Sequence, residues 1–151
     1  MQSLPTTEVI LNDLAKEVRE QLIPAIGDPA LRVNLEMMEQ LLTAAAVRAG
    51  HEIAWMNGEV EAIVPFTRKV AGALNDDATQ AALAEYDKRR SDSLHLEDQV
   101  NNYSLASEAL GRAIEAADQD PELMAEGTAL IRARRDTERE IRPGFYFPGR
   151  S

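Results

Sequence analysis

The stretch DPALRVNLEMMEQLLTAAAVRAG, residues 28–50, decides the fold class of this chain. Its apolar side chains recur at intervals of three and four residues, which is the spacing of one face of an α-helix. The positions that form this stripe are Leu31, Leu35, Met38, Leu42 and Ala45. Asp28 is suited to accept hydrogen bonds from the first N–H groups of the helix, and Pro29 lacks the N–H that would be unpaired there. The pattern predicts a helix that begins at Asp28 and ends at Gly50.

The same signals return along the rest of the chain. A second Asp-Pro pair, Asp120-Pro121, opens another stretch with helical spacing, and strand-like alternation is almost absent. The predicted helices span about 7–26, 28–49, 52–74, 77–90, 93–117 and 120 onward. Pro65 predicts that the third helix is bent or divided into two. Whether residues 77–90 and 93–117 form one helix or two stays open, because the residues that join them are highly polar.

The predicted fold class is therefore all-α, an up-and-down bundle of five or six helices. The length of 151 residues fits one domain with a real core. We expect a helical bundle domain over residues 1–142, followed by an irregular tail, residues 143–151. Only 5% of the residues are aromatic, so the core must consist of Leu, Ile, Val, Met and Ala, a mixture that favours helices.

Composition excludes several classes of chemistry and of partner. The chain has no cysteine, which excludes disulfides, thiolate nucleophiles and cysteine-ligated metals. Its net charge of −10 argues against nucleic acid and anionic membranes as partners. The N-terminus lacks the features of a signal peptide, and the longest apolar run is too short to cross a bilayer. We expect a cytoplasmic protein.

The C-terminal end of the chain differs from the rest in charge and in composition. Residues 132–151 contain six arginines and three acidic residues, opposite in sign to the remainder, and the tail concentrates three of the seven aromatic residues. Arginine and aromatic side chains are favoured anchors of protein interfaces. The predicted interaction residues are Arg135, Arg139, Arg142, Phe145, Tyr146 and Phe147. The tail either folds back over its own bundle or docks on a second subunit.

A second candidate surface is the wide Leu/Met face of residues 28–49. Besides the main stripe, Met37, Leu41 and Ala44 are also apolar, so this helix is expected to touch two neighbours. The face is either ordinary core or, alternatively, a dimer seam or a groove for an apolar ligand.

No catalytic residue and no cofactor are predicted. The glycines form no phosphate-binding loop, no nucleophile elbow is present, and neither of the two histidines has the neighbours of a known metal motif. One alternative concerns carboxylates, since two Glu residues three apart share a helix face and can hold Mg²⁺. The candidate ligands are Glu36, Glu39, Glu59 and Glu61. Glu36-x-x-Glu39 resembles all-helical nucleotide pyrophosphohydrolases, but the Glu-x-x-Asp that those enzymes carry on the next helix is missing here.

The first 50 residues also resemble a family of small, uncharacterised, all-helical bacterial proteins. These are often encoded beside aminoglycoside-phosphotransferase-like kinases and acyl-CoA dehydrogenases. The segments that carry the resemblance are LAKEVREQLIPAI, residues 14–26, and LRVNLEMMEQLL, residues 31–42, with Arg32 and Asn34 near the start of the second. The resemblance covers about a third of the chain and implies an accessory or partner role, with no catalytic residue.

We therefore expect a non-enzymatic helical accessory or protein-interaction protein that forms a homo-oligomer, with a further protein partner as an added possibility. A divalent-metal-dependent hydrolase and a binder of a small apolar molecule between helices are the alternatives.

Overall fold

The computed structural model describes residues 4–141, and within this range the chain consists of α-helices joined by short connections, without a β-strand. The all-α fold class is thereby confirmed. Within the same range no helix combines the length and the apolar character that a membrane span requires.

The first helical segment begins at Thr7, as its sequence predicts. Helix α1 comprises Thr7–Glu17, continues through one π-helical stretch, Val18–Leu22, and ends in the short helix α2, Ile23–Ala25. The side chain of Thr6 caps α1 by accepting a hydrogen bond from the Val9 N–H at 3.4 Å.

Helix α3 comprises Pro29–Leu74, 46 residues in one continuous helix. Asp28 caps it as predicted, because its Oδ1 accepts the Ala30 N–H at 2.8 Å. The predicted end at Gly50 is wrong. Of the two alternatives for Pro65, a bend or a division of the helix, the division is wrong because α3 continues through it. An interior Gly costs about 1 kcal/mol and an interior Pro about 3 kcal/mol relative to Ala, and burial of the side chains on either side of Pro65 offsets that cost. The helix ends at Asn75, whose φ of 50° is left-handed.

Three further helices follow. Helix α4 comprises Asp77–Arg89, α5 comprises Leu96–Ala116, and α6 comprises Pro121–Ile141. The question left open by the polar stretch is therefore answered: two helices form. Asp120 caps α6 as predicted, because its Oδ1 accepts the Glu122 N–H at 3.0 Å.

The chain separates into two compact units. The first contains the described residues up to Glu52 together with 138–141 at the end of α6. In this unit the N-terminal helices lie antiparallel to the first part of α3. Glu8 at one end approaches Gly50, while Arg19 at the other end pairs with Glu39. The result is a helical hairpin.

The second unit, Ile53–Thr137, contains the rest of α3 with α4, α5 and most of α6. The buried residues of its main core are Ile63, Phe66, Val70, Tyr86, Ala106, Leu110, Ala113, Ala117 and Leu123. Gly127 lets α6 approach closely, since a Cβ there would lie 3.0 Å from Phe66 Cζ. Small residues on α5 and α6 therefore allow the aromatic ring from α3 to be enclosed.

Asp76, which caps α4, predicts a specific dependence of stability on pH. The N–H and hydroxyl of Thr79 both donate to Asp76 Oδ2 at 2.7 Å, and these bonds hold the pKa of the Asp76 carboxyl below its ordinary value. A carboxyl whose pKa is lower in the folded protein stabilises it above the unfolded pKa of about 3.9. That contribution disappears as the pH falls through the folded pKa.

Asp76→Asn should therefore reduce the loss of stability below about pH 4, because Asn still accepts the cap hydrogen bonds but does not titrate. Urea unfolding at a series of pH values measures this. Asp77→Asn, which removes the same charge one residue further on, is the matched control. Equal pH profiles for wild type and Asp76→Asn would contradict the prediction.

Candidate functional site

The structure places the four predicted metal ligands in separate surroundings. Glu36 lies 3.7 Å from Arg32, and Glu39 accepts hydrogen bonds from Arg19 and from the hydroxyl of Thr43. Glu59 is paired with an arginine of α6, described below, and Glu61 is exposed. All four lie on α3, so the facing helix that the pyrophosphohydrolase arrangement needs is not formed between the two pairs. Residues 4–141 contain no group of three or more acidic or histidine side chains placed to hold a metal ion.

The predicted interaction residues are only partly described. Arg135 and Arg139 lie on α6 with exposed side chains. Arg142, Phe145, Tyr146 and Phe147 lie outside the described residues. The described residues therefore neither support nor contradict association through the aromatic tail.

The most conspicuous surface of the first unit is apolar. Several large side chains of its helical hairpin are about half exposed, in positions that the sequence pattern would assign to a core. Ile10, Leu14, Leu31 and Met38 are defined here as the apolar face. Met37 and Leu41 are also exposed, but helical geometry places them on the side of α3 that points away from α1. Leu14 is 50% exposed and Met38 is 52% exposed, so the stripes on both helices extend beyond the surface that the hairpin itself buries.

Helical geometry places these side chains on one side of the hairpin. Each residue lies about 100° further round a helix axis than the one before it. Leu14 directly precedes Ala15, which is buried, and Met38 directly precedes Glu39, whose carboxylate pairs with Arg19 across the hairpin. In a pair of antiparallel helices, the residue directly before a facing residue lies on the same side of the pair in both helices. Leu14 and Met38 therefore lie on the same side of the hairpin. The apolar face is therefore shared by both helices.

The second unit contains a cavity of about 270 Å³ between α3, α5 and α6. Most of the side chains around it are small or apolar. The lining includes Ala54, Trp55, Gly58, Glu59, Ala62 and Arg134. Ala54, Gly58 and Ala62 lie at four-residue intervals and so share one stripe of α3. All three are exposed, and a Cβ added at Gly58 would meet nothing within 4 Å, so the cavity is open to solvent along this side of α3.

The polar part of the lining is an ion pair between α3 and α6. Glu59 Oε2 lies 3.7 Å from Arg134 Nε, and the Glu59 side chain is 17% exposed. The Arg134 guanidinium is also held by α5, since it lies 4.8 Å from the centre of the Tyr103 ring and its Nη1 donates to Ser107 Oγ at 3.4 Å. Glu59 Oε2 is buried and has no hydrogen-bond donor among the described residues. A carboxylate oxygen in this position is an acceptor that the protein does not satisfy.

Sequence reasoning singled out Glu59, but for a metal site, and it missed Arg134 as its partner. The two residues are far apart in the chain, so no local spacing links them. The spacing of Ala54, Gly58 and Ala62 was the one available signal, because small residues at four-residue intervals leave a helix face thin. Which side chains lie opposite that face depends on how α5 and α6 pack.

Comparisons with protein-family models, with curated proteins and with solved structures found no match for this chain.

Proposed function

We propose that this chain is a self-associating helical protein-interaction protein, and that its apolar face packs against the same face of a second copy. The observation that carries the proposal is the half-exposed apolar surface shared by both helices of the first unit. An accessory role in the bacterial cytoplasm, implied by the resemblance of the first 50 residues, is part of the same proposal.

The small core of the first unit supports this proposal. Among its described residues, the buried apolar side chains are Ala15, Val18 and Ala46. Two of the three are alanines, which contribute little apolar area. Helices gain most of their stability in proteins from packing of an apolar face rather than from intrinsic propensity. A second hairpin would supply the surface against which these faces pack.

The amount of apolar surface fits a homodimer. The apolar face, with half-buried Leu35, Leu42 and Ala45 beside it, exposes on the order of 300 Å², which is the size of patch that is often functional on a monomer. Two copies would bury about 600 Å² of apolar area. A standard interface buries about 1,600 Å² in total, of which a little over half is apolar. The face is therefore large enough to form the apolar centre of such an interface.

The geometry favours a second copy over an unrelated partner. When two helical hairpins meet, each through its own apolar face, the two together form a four-helix arrangement. This is a common way to bury such faces. A two-fold axis requires that the same patch meets itself, and a patch made of uncharged apolar side chains is self-complementary. No partner of opposite charge is needed.

The test is the mass of the protein in solution, measured by light scattering. One chain has a mass of 16.7 kDa, so a dimer of twice that mass is expected for the wild type. Leu14→Glu with Met38→Glu places two charges per copy in the interface without a partner, and this variant should be monomeric. Both side chains are about half exposed in one copy, so the helices should remain folded, as circular dichroism would verify.

Val9→Glu with Val33→Glu is the matched control. Both valines are exposed, lie on the same two helices and add the same charge, but helical geometry places them away from the apolar face. This variant should stay dimeric, as should a chain without residues 143–151. A monomeric wild type, equal behaviour of the two double variants, or dissociation on removal of the tail would each overturn the proposal.

A further inference from the structure

The cavity of the second unit combines a size, an aromatic wall and an unsatisfied acceptor that together define a class of ligand. We infer that it binds a small amine with an apolar body, whose N–H donors meet the Glu59 carboxylate. This site is independent of the apolar face, because all residues that line it belong to the second unit.

The volume of the cavity limits the size of the ligand. A water molecule occupies about 30 Å³ of the liquid, so a cavity of about 270 Å³ has room for a ligand of roughly ten non-hydrogen atoms. The walls are mainly alanine, glycine and leucine side chains. Such walls favour an apolar body and supply few hydrogen bonds of their own.

Glu59 decides which polar group the ligand must carry. Glu59 Oε2 is buried, and its distance of 3.7 Å from Arg134 Nε is longer than a hydrogen bond. Leaving a buried acceptor unsatisfied is costly, whereas a donor on a ligand would satisfy it. The ligand must therefore donate. A ligand carboxylate would add a second acceptor beside Glu59 and would leave Oε2 unsatisfied.

A cationic donor fits this site better than a neutral donor. A hydrogen bond between an ammonium group and a carboxylate is shorter and stronger than one between neutral groups. Trp55 adds an aromatic surface to the lining, and an indole ring is the best aromatic partner for a cation. Arg134 pairs with Glu59 without donating a hydrogen bond to Oε2, because its Nε lies 3.7 Å away while Tyr103 and Ser107 hold the guanidinium on the side of α5.

The experiment uses 2-phenylethylamine as the probe, with 2-phenylethanol and 3-phenylpropionate as ligands of similar size. Trp55 is the sole tryptophan of the chain and lines the cavity, so its fluorescence reports occupancy directly. Titration of the full chain with the amine should give a saturable change. The alcohol should bind about tenfold more weakly, and the carboxylate more weakly still.

Two variants test the two parts of the site. Glu59→Gln keeps the shape of the side chain and removes its charge, and should weaken binding of the amine by about tenfold or more. Gly58→Leu fills the cavity, and since leucine is also a better helix former than glycine, the protein should stay folded while binding is lost. Glu61→Gln removes a charge from an exposed position of the same helix and should leave binding unchanged.

Several results would overturn this inference. These are tighter binding of the carboxylate than of the amine, no saturable signal with millimolar amine, unchanged affinity in Glu59→Gln, and retained binding in Gly58→Leu. Circular dichroism of each variant separates loss of the site from loss of the fold. Light scattering on the same samples measures self-association separately. Glu59→Gln and Gly58→Leu should leave the mass unchanged, because neither residue belongs to the apolar face.

Discussion

Phe66→Ala is expected to lower the free energy of unfolding by about 3–5 kcal/mol, the range for truncation of a buried aromatic side chain. Phe66 is 3% exposed and belongs to the main core of the second unit, where it packs beside Gly127 of α6. Removing the ring loses its burial and leaves a cavity that backbones of three helices cannot close. Urea unfolding followed by circular dichroism measures the change. Leu94→Ala, on a 69% exposed side chain, should change stability by less than about 0.5 kcal/mol.

A double-mutant cycle with Gly127 makes this prediction sharper. In the wild type a methyl group at position 127 would lie 3.0 Å from Phe66 Cζ, so Gly127→Ala gains helix propensity but crowds the ring. Without the ring, the remaining close neighbour of this methyl group is Ile114 Cγ1 at 3.2 Å, and the Ile114 side chain can shift into the space that the ring leaves. Gly127→Ala should therefore be more favourable in the Phe66→Ala background than in the wild type. Additive effects, or a loss of less than about 1 kcal/mol for Phe66→Ala, would contradict the close packing of α3 against α6.

Pro65→Ala is expected to raise the free energy of unfolding by up to about 3 kcal/mol, which is the difference between Pro and Ala inside a helix. Pro65 lies within α3, where its ring removes one backbone hydrogen bond and crowds the carbonyl of Glu61 in the preceding turn. Its side chain is exposed, so the substitution removes little packing. Thermal and urea unfolding measure the gain.

Gly72→Ala is the matched control for helix propensity alone. Gly72 is exposed on the same helix, and a Cβ there would meet nothing within 4 Å, so about 1 kcal/mol is expected. A larger gain for Pro65→Ala would show that the missing hydrogen bond has a cost of its own. A loss of stability would instead mean that Pro65 shapes the helix so that the adjacent Phe66 reaches the core.

Features that depend on neighbouring residues are predicted correctly from the sequence, whereas features that depend on distant residues are not. The helix starts at Asp28 and Asp120 were predicted because a cap involves a side chain and N–H groups two or three residues away. The end predicted at Gly50 and the division considered at Pro65 are wrong for the opposite reason. The propensity of a single residue is small beside the burial of neighbours such as Ile63 and Phe66.

The candidate sites show the same division. Periodicity identified Leu14 and Met38 as apolar positions of helices, but it did not say whether another part of the chain covers them. The Glu59–Arg134 pair and the cavity beside it join α3 to α6 and so follow no local pattern. An interpretation of Glu59 as a metal ligand was reasonable from spacing, yet its nearest charged partner is a cation.

Local chemistry in the amino-acid order was thus sufficient for the all-α class, for the capped helix starts and for the apolar stripes, since each depends on residues within one or two turns. Packing between distant segments decided that α3 runs unbroken through Gly50 and Pro65, that the apolar face stays half exposed, and that Glu59 lies beside Arg134 in a cavity. The physical reason is that burial depends on which two surfaces come into contact. The spacing of apolar residues along the chain defines one surface, but it does not define which segment covers that surface.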